Sequence, residues 1–125
     1  MSANLKIAKF GKSVLPYRII TDTTLGATPV IDVTQAGGVL YSLKAVHNGS
    51  AGTASYVKLF LTSASVTLGT TIPDIMFYLP NNNAVVDMHF PSGIPFTALS
   101  ANVTDAANES ATSVTNDVSI TFITS

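Results

Sequence analysis

A chain of 125 residues in which 46% of positions are hydrophobic and only 10% charged is the size of one domain able to bury a core of its own. With no cysteine it has no disulfide framework, no thiolate nucleophile and no cysteine-based zinc site. Its net charge of −1 and scattered basic residues, with Lys6, Lys9 and Lys12 as the one loose group, exclude a nucleic-acid footprint, and no run approaches the roughly 18 apolar residues of a membrane helix.

Asn4 to Phe10 alternates Leu5, Ile7 and Lys9 against Lys6, Ala8 and Phe10, the mixed faces of an edge strand or an extended arm. Pro16 on one side and the polar run at 21–24 on the other leave Tyr17–Ile20 as a short strand. Residues 29–34 (PVIDVT) alternate so that Ile31 and Val33 turn inward, and Gly37-Gly38 marks a turn. In the next strand Val39, Tyr41, Leu43 and Ala45 share one face and Ser42 and Lys44 the other. Asn48-Gly49 is a strong turn signal. Beyond it Val57, Leu59 and Leu61 oppose Tyr56, Lys58 and Phe60, so the two runs are expected to pair as an antiparallel hairpin.

Residues 63–71 read as a polar loop. Pro73 precedes IMFYL, a nearly continuous apolar strand stopped by Pro80 and three asparagines. Ala84, Val86, Met88 and Phe90 then face inward against Val85, Asp87 and His89. A sharp break comes next at PSGIP (91–95), with Gly93 free to take positive φ. Thr97–Thr104 is a further strand, and 105–116 a polar loop in which 105–112 is the one candidate for a helical turn. Asp117–Thr124 closes the chain with Val118, Ile120 and Phe122 on one face. Eight or so short strands with turn signals between them predict an all-β fold, an antiparallel β-sandwich with jelly-roll-like as one option. Residues 1–20 form an N-terminal arm or edge strand, and 21–125 a single sandwich domain.

No reaction centre is legible. Asp87 and His89 lie two apart on one strand face, but no third or fourth metal ligand stands near them in sequence. No serine occupies a G-x-S-x-G elbow, the seven acids are dispersed, and Gly37-Gly38 has no following helix or lysine to make a phosphate loop. Three N-x-S/T triplets, at Asn48, Asn102 and Asn108, arise readily in so Ser- and Thr-rich a chain. The expectation is a protein that is not an enzyme and carries no catalytic, metal or cofactor site. A free monomer usually charges roughly a quarter or more of its surface positions. The sparse charge here therefore favours a subunit packed against neighbours, and Leu5, Ile7, Phe10, Tyr56 and Phe60 are the candidate inter-subunit contacts.

The elements Tyr56–Phe60 (YVKLF), Gly69–Pro73 (GTTIP), Met76–Pro80 (MFYLP) and Phe90–Phe96 (FPSGIPF) resemble a group of small bacteriophage and prophage structural proteins. The likeness covers about half the chain and leaves the first forty residues outside it. It implies a virion component, first a capsid decoration (cement) protein stabilising the head through inter-subunit contacts. Its partners would be the major capsid protein and copies of itself, as a trimer or other homo-oligomer, without nucleic acid or membrane. The protein would reside in the phage head after synthesis in the host cytoplasm, since no apolar signal-peptide core is present near the start. A tail, fibre or adaptor subunit is the alternative. A glycan-binding β-module is a further one, against which the absence of Trp counts.

Overall fold

Short runs of β-branched and aromatic residues between Gly, Pro and Asn breaks become eight strands in the computed structural model. It describes residues 5–9, 17–31, 33–34, 36–49, 53–62, 65–81 and 83–125. The strands are β1 (Leu5–Lys9), β2 (Arg18–Leu25), β3 (Gly38–His47), β4 (Ser55–Phe60), β5 (Ile75–Leu79), β6 (Val85–Phe96), β7 (Ser100–Thr104) and β8 (Val118–Thr124). Among the described residues there is no helix, hence none long and apolar enough to cross a membrane. The candidate helical turn at 105–112 is a series of bends and turns.

Four nested antiparallel pairs set the topology. β2 pairs with β8, Val30 bridges to Ala101 of β7, β3 pairs with β6, and β4 pairs with β5. Together they resemble one long hairpin whose tip lies between β4 and β5. Rolling it up brings β8 beside β3 and β7 beside β4. The result is a five-stranded sheet, β1-β2-β8-β3-β6, facing a three-stranded sheet, β5-β4-β7. That is the connectivity of a jelly roll, so the predicted sandwich is observed and its strand order settled.

Rolling also overturns the expected hairpin between β3 and β4. Both flanks of β3 are taken by β8 and β6, so the chain after Asn48-Gly49 crosses to the facing sheet, where β4 lies between β5 and β7. Two more segments differ from expectation. PSGIP does not end a strand: β6 runs through it as a bulge, Leu40 opposing Ile94 and Ser42 opposing His89. Of PVIDVT, Val30 alone bridges to a neighbouring strand, and it is buried while Ile31 is exposed; Asp32 lies outside the described residues.

β3 has its own irregularity at this level, two steps from Leu40 to Ser42 opposing one on β8, from Thr124 to Ile123. The extra residue shifts the inward face by one, so Leu40, not Val39 or Tyr41, joins Leu43 and Ala45 in the core. Ile20, Ile120 and Phe122 join them from neighbouring strands of the same sheet, and Val57, Leu59, Leu79 and Val103 meet them from the facing sheet, all essentially inaccessible. Each large side chain so buried contributes about 1.5–3 kcal/mol. His47 is buried with them. Its Nδ1 accepts the Gly49 N–H at 3.1 Å and its Nε2 lies 2.8 Å from the Thr53 carbonyl. Because Nδ1 accepts, the ring proton sits on Nε2 and is donated to Thr53, a neutral ring tying β3 to the segment entering β4.

At the other end of the large sheet, β1 pairs only with β2, from Leu5 opposite Asp22 to Lys9 opposite Arg18. β2 begins at Arg18, so a boundary drawn at residue 20 falls inside a strand of the sandwich.

Candidate functional site: an apolar strand at a sheet edge

The ionisable side chains serve the fold. Asp74 Oδ2 accepts the Leu61 N–H at 2.7 Å, closing the β4–β5 loop. Both oxygens of Asp105 hold Thr115, at 2.8 Å from its amide and 2.7 Å from its hydroxyl. Asp22, buried in β2, accepts the Thr24 N–H through Oδ1 at 2.9 Å, while its Oδ2 has no hydrogen-bond partner. Asp87 and His89 form a 3.2 Å pair on the outer face of β6, both side chains more than half exposed. Among the described residues no three His, Asp or Glu side chains come together as a metal site.

Where β3 and β6 bulge, an open cleft of about 280 Å³ forms on the outer face of the large sheet, lined by Tyr17, Tyr41, Ser42, His89, Phe90, Pro91 and Ile123. The two tyrosine rings lie 5.1 Å apart and are tilted by 59°. They pack on each other in the edge-inclined geometry that aromatic quadrupoles prefer, and so present no flat platform.

The small sheet has an outer face of two halves. Over β7 and β4 it is covered. Lys58 and Phe60 point outward by register but are only 2% exposed. The 65–72 and 108–113 segments meet above them: a Cβ added at Gly69 would lie 2.8 Å from Thr112 Cγ2. Beneath this cover the Lys58 ammonium donates to the Asn108 carbonyl at 2.7 Å. Burial lowers its pKa from the ordinary 10.5, and the Glu109 charge partly offsets this. Alternation points Phe60 at a neighbouring subunit; instead it packs under loops of its own chain, which local alternation does not register.

Over β5 the outer face is bare. Met76 is 43% exposed and Tyr78 55%, Ile72 in the loop leading into the strand is 72% exposed, and the Tyr78 ring stacks on half-buried Tyr56 with centroids 5.7 Å apart and planes 24° from parallel. On the other face of the strand Ile75 and Phe77 pack against the core and stay half-buried. β5 is therefore apolar on both sides, the pattern of a strand covered above and below, yet it stands last in its sheet.

Free strand edges are ordinarily guarded by charge, proline or bulges, and the other three edges among the described strands are. β1 carries the exposed Lys6. β6 carries Asp87, His89, two prolines and a bulge. The edge of β7 is closed by backbone bonds: the Val30 and Val33 N–H groups donate to the Ala101 and Leu99 carbonyls, and the Val103 N–H donates to the Gly26 carbonyl. β5 contains no charge and no proline.

Of the contacts named from sequence, Tyr56 lies on this flank. Leu5 packs against its own core, Ile7 is 39% exposed on β1 at the far edge of the large sheet, and Phe10 lies outside the described residues. The flank's main members, Ile72, Met76 and Tyr78, read from sequence only as strand and turn residues. The signal that could have found them is the unbroken IMFYL run itself. Compared with known proteins, the chain matches no family profile, no curated protein and no solved structure.

Proposed function

We propose that this chain is a structural subunit of a bacteriophage particle, acting as a decoration protein that binds the head shell and stabilises it by adding inter-subunit contacts. The observation that carries this reading is the unguarded apolar flank of β5 with Ile72, Met76, Tyr78 and Tyr56. A strand apolar on both faces at a free edge is a surface built to be covered. Support comes also from the sparse charge, the sequence resemblance and the jelly-roll connectivity, an architecture that viral capsid domains use, although a fold by itself does not assign a role. The mechanism is additive burial. Stable contacts bury above about 1,000 Å², and repetition over a shell multiplies a modest gain per copy.

Add-back to particles lacking the protein tests this. Decorated heads are expected to withstand heating and low salt better than bare ones, and Ile72→Lys is expected to lower occupancy. Equal rupture temperatures with and without bound protein would refute cementing. Images placing the chain on the tail would favour the adaptor alternative. The remaining alternative, host-glycan binding, would show as saccharide-induced shifts confined to the Tyr17, Tyr41 and His89 signals at the open cleft.

A further inference from the structure

We propose that the free edge of β5 pairs with β5 of a second copy of this chain, antiparallel about a two-fold axis at Phe77, joining two three-stranded sheets into one of six strands. The inference rests on reading the β5 flank as a contact surface, and it names the partner.

The strand is self-complementary. With Phe77 opposite the partner's Phe77, Ile75 meets the partner's Leu79 and Met76 meets the partner's Tyr78. Every residue then faces another apolar or aromatic one, and the strand holds no charge, so no like charges are opposed. On the exposed face each Met76 thioether lies beside a tyrosine ring, a favourable sulfur–aromatic contact. On the core side the two Phe77 rings cover each other's half-exposed surfaces. The same register sets Asp74 opposite the partner's Pro80, whose missing N–H ends the ladder after five residues.

A strand from an unrelated chain would also satisfy the edge, but it would place no demand on this mirror-like order of side chains. A two-fold axis does, because an isologous interface presents the same patch twice. The alternative self-contacts, through β1 or β6, would bring lysines or a bulge with two prolines into the ladder.

The chain has no cysteine, so introduced ones report the register cleanly, and positions 76 and 78 are exposed enough for substitution to leave the fold intact. Sedimentation of the whole chain is expected to give twice the 13.0 kDa chain mass. Tyr78→Lys, checked by circular dichroism to be folded, is expected to weaken the dimer about tenfold or more. Under mild oxidation a mixture of M76C and Y78C chains is expected to cross-link rapidly, because opposed positions meet disulfide geometry, while either chain alone cross-links poorly. A folded wild-type chain that sediments at the single-chain mass even at about 100 μM would overturn the pairing. So would cross-linking of M76C alone as fast as the mixture. A monomer that still decorates particles refutes the two-fold pairing and leaves the contact reading standing; a monomer that binds nothing refutes both.

Discussion

Gly93 and His47 show what single positions enforce. Gly93 holds φ at +73° inside the β6 bulge, and a Cβ there would lie 2.2 Å from Val39 Cγ1 and 3.2 Å from Tyr41 Cε1. Gly93→Ala meets both a left-handed backbone and a clash, and is expected to cost about 2–4 kcal/mol. Urea unfolding with an unchanged slope checks it, together with a change in the tyrosine signals as Tyr41 shifts against Tyr17. Positive φ at Gly93 was legible from the P-S-G-I-P setting. The close approach of Val39 was not, because it arises only when β3 and β6 are paired. His47→Leu keeps the buried volume but strands the Gly49 N–H and the Thr53 carbonyl. Gly49 and Thr53 are themselves only half-buried, so water takes up part of the lost bonding, and a loss of about 1–2 kcal/mol is expected in the same assay.

At the scale of a strand, β4 shows a buried charge held by a loop. Lys58 has its pKa lowered from 10.5 by burial beneath the 105–113 segment. Below the depressed value the ammonium is charged in both folded and unfolded chains, and the full burial cost stands. Between that value and 10.5 the unfolded chain binds the proton more tightly, so stability rises with pH through this window. Lys58→Met removes the titrating group, and the Asn108 carbonyl it frees sits on an exposed residue that water can reach. The variant is expected to be at least as stable as wild type at pH 7 and to lose the alkaline rise, measured by denaturant unfolding from pH 7 to 10.5. Alternation carried the reading of β8 through, since Val118, Ile120 and Phe122 are indeed buried on one face. It failed on β3, where the irregularity between Leu40 and Ser42 re-phases the strand. It also failed on β4, where Lys58 and Phe60 are covered by segments about 50 residues away or from the facing loop. Period-two reading assumes a regular pleat with one wet face, and neither condition is local knowledge.

For the whole molecule, the strands and their ends were largely readable, but their partners were not. Turn chemistry at Asn48-Gly49 argues for pairing with the next strand, whereas the nested pairs join Arg18 to Thr124 and Gly38 to Phe96. Such long-range closure depends on total burial, not on any short signal. All four nested pairs lie between β2 and β8, and β1 adds only an outer ladder to β2 and the packing of Leu5 on the core. A chain beginning at Tyr17 is therefore expected to fold cooperatively to the same sandwich, at a cost of about 1–3 kcal/mol for the lost burial. In a domain of this size that is a fall in melting temperature of several degrees, roughly 3–6 °C per kcal/mol. Calorimetry and the near-ultraviolet spectrum of the tyrosines check it. On the proposed decoration role, the same truncated chain separates two parts for the N-terminal segment in assembly. If occupancy on bare particles is unchanged, attachment runs through the sandwich itself. If occupancy collapses while the melting curve stays cooperative, residues 1–16 make the contact with the shell and the β5 flank serves the copies' contact with one another.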